Sequence, residues 1–194
     1  MLPTIRQRSQ IYAAGAMLSL LSVFASASFA ADELANQTIK HRLTGLCCLE
    51  REEDLRQVVA TMPGVELKSI DFPNAEATFA YDAPKLFPQH KPEKFNEQFE
   101  NLLRNASQGT FGIRPPATIP RDKLTLIEIK VVGLDCKACS FAAYEAIYKL
   151  PGVEQATASF KAGLVTAWID PTQTNRAALE EALKKKGVEL VPQE

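Results

Sequence analysis

Apolar positions recur along this chain every second residue in some segments and every three or four residues in others. In residues 124–132 every second residue is apolar, with Ile127, Ile129 and Val131 on one face, which predicts a half-buried strand. In residues 139–150 the apolar positions recur every three or four residues, which predicts an amphipathic helix. The chain therefore mixes strands and helices of ordinary length.

The predicted elements follow the order β-α-β-β-α-β, and this order occurs twice. A Pro-Gly pair ends the first helix of each repeat, at Pro63-Gly64 and at Pro151-Gly152. The predicted strands cover residues 38–46, 65–70, 75–81, 110–113, 124–132, 153–160, 164–169 and 188–191, and the predicted helices cover 50–62, 95–103, 139–150 and 176–186.

This order predicts an α+β fold of two tandem ferredoxin-like sandwiches, each an antiparallel sheet with two helices on one face. The first unit covers residues 37–113 and the second covers 123–192. Three prolines in residues 114–122 predict a stiff linker between them.

The first thirty residues have the pattern of a secretory signal peptide. Arg6 and Arg8 precede an apolar stretch at 11–24, and small residues follow up to Ala30. The apolar stretch is shorter than the roughly 20 residues that a membrane span needs. We therefore expect cleavage after Ala30, no membrane span afterwards, and an exported protein in the periplasm or secreted.

Composition alone excludes no class of protein, but the charge balance and the motifs argue against two. The chain has 22 basic and 23 acidic residues, a formal net charge of −1, and loss of the leader with its two arginines makes it more negative. Such a balance does not favour binding to nucleic acid. No Ser-His-Asp set, phosphate-binding loop or paired-carboxylate arrangement stands out, so the sequence does not predict an enzyme.

The four cysteines form two local pairs, each just after a Gly-Leu, at Cys47-Cys48 and at Cys136 and Cys139. Cysteines three apart, where a strand leads into a helix, place one sulfur in the loop and the other in the first helical turn. Two such sulfurs can bind one soft metal ion. The amino end of the helix favours the thiolate form, and we expect neighbouring Lys137 to act in the same direction.

The second unit resembles the heavy-metal-associated domain family, found in copper and mercury chaperones and at the amino ends of metal-pumping ATPases. The resemblance rests on Gly133-Leu134-Asp135-Cys136-Lys137-Ala138-Cys139, on the helix exit Leu150-Pro151-Gly152-Val153, and on Lys186-Gly187-Val188 before the last strand. It implies that Cys136 and Cys139 are the metal ligands. It also implies that Leu134 fills the core beneath the loop, where the family usually has methionine.

Asp135 bears on the identity of the metal. In family members that carry zinc, cadmium or lead, an acidic residue precedes the first cysteine, so Asp135 is a candidate third ligand. Its alternative role is to cap the following helix. The expected cargo is therefore one soft or borderline ion, Cu(I), Zn(II) or Hg(II).

The first unit resembles the same family in a degenerate form. Alignment of the two Gly-Leu motifs places Cys48 at the first ligand position and Arg51 at the second, so one ligand is missing. Cys47 and Cys48 are weak candidate ligands, and His41 on the preceding strand contributes only if it faces the loop. The other hypothesis for this unit is a structural or docking role.

Three functions follow from the sequence. The first is a metallochaperone or metal-sequestering protein that passes its ion, by thiolate exchange, to a membrane metal transporter or another heavy-metal-associated domain. The second is a thiol-disulfide redox protein that uses Cys136 and Cys139. The third is a metal-free protein-interaction module.

Overall fold

The computed structural model describes residues 37–192. The predicted leader, residues 1–30, lies outside this part of the chain. Within residues 37–192, no helix combines the length and the apolar character that crossing a bilayer requires.

The first unit contains four strands and three α-helices. The strands pair antiparallel in the order β2-β3-β1-β4. These elements are β1 (Gln37–Thr44), α1 (Arg51–Ala60), β2 (Val65–Asp71), β3 (Glu76–Tyr81), α2 (Ala83–Leu86), α3 (Phe95–Ala106) and β4 (Gly112–Arg114).

The second unit repeats this plan with two helices. Its strands pair antiparallel in the order β6-β7-β5-β8, which is the same topology as in the first sheet. These elements are β5 (Thr125–Val132), α4 (Lys137–Tyr148), β6 (Val153–Ser159), β7 (Leu164–Ile169), α5 (Arg176–Lys185) and β8 (Glu189–Leu190).

Each sheet buries one face against its helices, so the predicted α+β fold of two ferredoxin-like units is confirmed. In the second unit Ile129 and Val165, from central strands, lie in one core with Ile147 of α4 and Leu183 of α5. In the first unit Phe79, Leu55 and Phe99 have the corresponding role, among others. The alternation along each strand directs these side chains to one side of the sheet.

Besides small shifts of element ends, two local features of the first unit differ from the sequence prediction. The predicted loop at 82–92 contains the short helix α2, because the Asp82 carboxylate accepts a hydrogen bond from the Lys85 N–H at 3.1 Å and caps the turn. The last strand of the first unit extends to Arg114, the first residue of the predicted linker. Arg114 lies opposite Arg42 in the pairing of β1 with β4.

The arginines Arg42 and Arg114 join the first unit to strand β6, at the edge of the second sheet. Arg42 forms an ion pair with Glu154 at 3.0 Å, and it also donates to the Glu154 carbonyl oxygen. Arg114 donates to the same oxygen and to the Val153 carbonyl, both at 3.1 Å. These bonds satisfy carbonyl groups that an edge strand leaves unpaired.

Candidate metal centre

The loop between β5 and α4 begins with a glycine and a buried leucine. Gly133 has a φ of 77°, a left-handed conformation that glycine adopts without steric cost. Leu134 then turns inward and is only 7% exposed, within the core of the second unit. The expected role of Leu134 as the residue that fills the core beneath the loop agrees with this position. The following residues are thereby held at the surface.

Cys136 ends the loop and caps helix α4. Its backbone is extended, and its Sγ accepts a hydrogen bond from the Cys139 N–H at 3.3 Å. The Ser140 N–H donates to the Cys136 carbonyl oxygen at 3.0 Å. Because the cysteine sulfur satisfies a free N–H of the first turn, the helix begins at Lys137, two residues earlier than predicted.

The two sulfurs of this pair lie close together at the surface. Cys136 Sγ and Cys139 Sγ are 2.8 Å apart, Cys136 is exposed, Cys139 is partly exposed, and both are free thiols. Tetrahedral bonding at about 2.3 Å per sulfur places two ligands roughly 3.8 Å apart. Side-chain rotations that increase the distance between the two sulfurs by about 1 Å therefore suffice for both to bind one ion.

The two thiols of this pair differ in pKa, chiefly because of the hydrogen bond between them. The pKa of Cys136 is lowered, first because the Cys139 side chain donates to its sulfur and next because the Cys139 N–H does so. The pKa of Cys139 is raised, chiefly because its proton is shared with Cys136. Cys136 is therefore the more acidic of the two thiols.

Asp135 is exposed beside this pair, and its charge raises the pKa of Cys136 by a smaller amount. Within residues 37–192, however, no three His, Cys, Asp or Glu side chains are grouped so that they could hold a metal ion. The structure brings Cys136 and Cys139 together and does not group Asp135 with them. Its role as a third ligand stays a prediction.

The corresponding loop of the first unit starts in the same way but turns its cysteines inward. Gly45 is left-handed with a φ of 91°, and Leu46 is buried. Cys47 and Cys48 are 0% and 1% exposed and belong to the core of the second unit. The Cys47 carbonyl accepts a hydrogen bond from the Ala158 N–H in β6 at 2.7 Å. This loop is thus covered by the neighbouring unit.

The positive charge next to these buried thiols is the guanidinium of Arg51. The pKa of Cys47 is lowered, mainly by a hydrogen bond from Cys48 and to a lesser degree by the Arg51 guanidinium. The pKa of Cys48 is raised by its hydrogen bond to Cys47 and by burial. Arg51 occupies the position that aligns with Cys139, so a fixed cation stands where the second unit has a ligand.

His41 lies in the core of the first unit and not at this loop. Its Nε2 is 3.1 Å from the Tyr81 hydroxyl, and its ring stacks on Phe99 with 5.0 Å between centroids. The structure therefore does not bring His41 together with the candidate ligands Cys47 and Cys48. The role of these two cysteines as ligands stays a prediction.

Residues 128–189 match the family model of the heavy-metal-associated domain. Over these residues the chain is similar to that domain. The matched region includes both Cys136 and Cys139 and lies wholly within the second unit. The family supports a heavy-metal-binding, metal-handling protein, as the sequence predicted.

Solved structures also show similarity to this chain. Oxidized MerP from Ralstonia metallidurans CH34 is 22% identical, with 37% of this chain and 99% of that chain covered and a TM-score of 0.34. The N-terminal soluble domains of Bacillus subtilis CopA are 19% identical, covering 80% of this chain and 92% of that one, with a TM-score of 0.33. No curated protein matches the chain.

Sequence reasoning missed a contact next to the cysteine pair. Lys137 Nζ lies 2.7 Å from the Asp54 carboxylate in helix α1. The prediction that Lys137 promotes ionisation of the thiols is therefore not supported, because its ammonium is directed to Asp54. The two residues are 83 positions apart, and neither periodicity nor spacing signals their contact.

Proposed function

We propose that this chain is an exported metallochaperone or metal-sequestering protein that carries one soft or borderline ion on Cys136 and Cys139. The observation that carries the proposal is the free, solvent-accessible pair of sulfurs 2.8 Å apart at the amino end of α4. Export is supported by the leader pattern in residues 1–30. The cargo is Cu(I), Zn(II) or Hg(II), all of which accept thiolate ligands.

Transfer occurs by exchange of ligands and needs no enzymatic turnover. A thiolate of the partner bonds to the ion at the exposed loop, which gives an ion bound by three sulfurs. One cysteine of this chain then releases its bond and takes up a proton, and the second follows as the partner's next ligand arrives. The ion passes on without being free in solution, and its oxidation state does not change.

The partner is proposed to be a membrane metal transporter or another heavy-metal-associated domain. The partner approaches the side of the loop where Asp135, Cys136 and Ala138 are exposed. The opposite side of α4 is already covered, because Gly45 and the buried Cys47 and Cys48 of the first unit lie against the second unit. The first unit thus defines which face of the loop a partner can reach.

A titration of the reduced protein with Cu(I), Zn(II) or Hg(II), each against a competing chelator, tests the carrier function. We expect one ion per chain, with affinity reduced at least about 100-fold in Cys136→Ser and in Cys139→Ser, since each removes one of two ligands. Cys47→Ser and Cys48→Ser, measured in parallel, test the weaker candidate ligands, and unchanged affinity in both assigns the ion to Cys136 and Cys139. Binding that survives loss of both Cys136 and Cys139 would disprove the proposal.

The same geometry favours one second candidate, a thiol-disulfide oxidoreductase. An exposed cysteine of lowered pKa at a helix amino end can attack a disulfide, and a cysteine three residues later can resolve the mixed disulfide. Reduction of insulin disulfides by the reduced protein, at a rate abolished by Cys136→Ser, would favour this candidate. Partner binding that persists in the double serine variant would instead favour a metal-free interaction module.

A further inference from the structure

Lys137 lies in the sequence between the two candidate ligands, and its ammonium group is paired with a carboxylate of the first unit. Its Nζ is 2.7 Å from Asp54 Oδ1 in helix α1 of the first unit. The Asp54 side chain is 22% exposed and that of Lys137 is 45% exposed. A pair this accessible adds little to folding stability.

Asp54 is itself fixed in place by a second cation. Arg51 Nη1 donates to Asp54 Oδ2 at 3.0 Å, and the Arg51 side chain is only 15% exposed. The Arg51 guanidinium in turn lies over the ring of Phe141 in α4, 5.4 Å from its centroid. The carboxylate is therefore held at the first turn of α4 before any metal ion arrives.

The neighbouring acids of α1 have other contacts. Glu52 lies 3.9 Å from Arg56, and Glu53 accepts a hydrogen bond from Gln57 at 3.1 Å, both within the helix. All three acids lie in the first turn, where the helix end favours negative charge. Asp54 differs from the other two because it reaches the second unit.

The position of the ammonium group affects the stability of the complexes of monovalent and divalent ions to different degrees. Two thiolates with a monovalent ion form a complex of charge −1, and the same thiolates with a divalent ion form a neutral one. A lysine free to approach the sulfurs stabilises the negative complex and does little for the neutral one. A lysine bound to a carboxylate loses most of that effect.

We propose that Asp54 is a positioning residue that sets the metal preference of the Cys136 and Cys139 site. By holding Lys137, it lowers the affinity for monovalent Cu(I) relative to divalent Zn(II). This inference rests on the proposed metal-binding function, and it assigns to the first unit a part in the selectivity of the second.

The experiment measures Cu(I) and Zn(II) affinities of the full chain by chelator competition, and compares Asp54→Asn with Glu53→Gln. Both substitutions remove one negative charge from the same helical turn, so their long-range fields are matched. We expect Asp54→Asn to shift the ratio of affinities toward Cu(I) by about three- to tenfold, as one charge approaching the sulfurs in water predicts. Glu53→Gln leaves the ratio as in the wild type. Far-UV circular dichroism confirms that both variants are folded.

Removal of the lysine separates charge positioning from a structural effect. Lys137→Gln alone changes the ratio less than Asp54→Asn does, because the ammonium is already neutralised. In the Lys137→Gln background, Asp54→Asn has no further effect. An equal shift in the presence and absence of the lysine, or equal ratios in Asp54→Asn and Glu53→Gln, overturns the inference. Absence of metal binding in the wild type overturns the proposed function, and the inference with it.

Discussion

The backbone N–H of Gly45 donates a buried hydrogen bond to the hydroxyl of Tyr144, across 99 positions of sequence, at 3.0 Å. Gly45 opens the degenerate loop of the first unit, and Tyr144 lies on α4, the helix that carries Cys139. Burial raises the pKa of Tyr144 well above its usual range, so the hydroxyl stays protonated. This bond joins the degenerate loop of the first unit to the helix that follows the cysteine loop of the second.

Replacement of Tyr144 by phenylalanine should destabilise the protein by about 1–3 kcal/mol, because the Gly45 N–H remains buried without its acceptor. Urea denaturation followed by the fluorescence of Trp168 measures this change in the free energy of unfolding. Tyr148→Phe removes a hydroxyl from the ring stacked on Tyr144 and is the control. Equal stabilities for the two variants would show that the bond to Gly45 contributes nothing.

The two glycines that open the loops should differ in their tolerance of alanine. A Cβ atom at Gly133 meets nothing within 4 Å, so Gly133→Ala carries only the cost of a left-handed backbone, about 1–2 kcal/mol. A Cβ atom at Gly45 overlaps the carbonyl oxygen of Thr110, so Gly45→Ala should cost about 2–5 kcal/mol.

Thermal and urea unfolding of the two glycine variants provide the comparison, each serving as the control for the other. The same loss of stability in both, or a larger loss in Gly133→Ala, would contradict the packing of Thr110 against Gly45.

The four cysteines should react with a thiol reagent in two groups. Cys136 is exposed and Cys139 partly so, whereas Cys47 and Cys48 are buried at 0% and 1% exposure. We expect an alkylating reagent such as iodoacetamide to modify two thiols of the reduced native protein quickly. Cys136 reacts first because its pKa is lowered. The other two react only after denaturation.

The variant with serine at both 136 and 139 is the control, and it should lack the fast phase. Mass spectrometry of tryptic peptides identifies which residues are modified. Rapid modification of Cys47 or Cys48 in the native protein would show that the degenerate loop is open to solvent.

Stability should fall at acidic pH because of His41. Burial lowers the pKa of His41 to about 4, from an ordinary value near 6.5. Between these two values the unfolded state binds more protons than the folded state, so stability decreases as the pH falls from 6.5 toward 4. A shift of this size corresponds to about 3 kcal/mol.

Urea unfolding of the wild type and of His41→Gln at intervals from pH 7 to pH 4 measures this effect. Glutamine keeps a polar group for Tyr81 but does not titrate in this range, so the variant should lose less stability on acidification. Identical pH dependence in the two proteins would mean that the pKa of His41 is the same in the folded and unfolded states.

Local sequence patterns predicted most of the fold because its elements depend on neighbouring residues. The alternation in 124–132 and the Pro-Gly pairs after each first helix are short-range signals, and the structure places strands and helix ends close to them. The start of α4 at Lys137 was missed by two residues. A cysteine sulfur that caps a helix is not among the usual capping signals.

The sequence predicted only part of the candidate site. The spacing of Cys136 and Cys139 leads to two sulfurs 2.8 Å apart, because residues three apart at a helix start lie on one face. The contact of Lys137 with Asp54 was not predicted, because the docking of the two units brings Asp54 near.

By itself, the sequence determined that this chain contains two β-α-β-β-α-β units and one two-thiol loop, since periodicity, turn residues and close spacing act over a few residues. The tertiary structure alone decided that Cys47 and Cys48 are buried, that Arg42 and Arg114 bind the edge of β6, and that Asp54 holds Lys137. These contacts join residues about 40 to 110 positions apart. Such pairs are selected by the packing of whole units and leave no periodic signal in the chain.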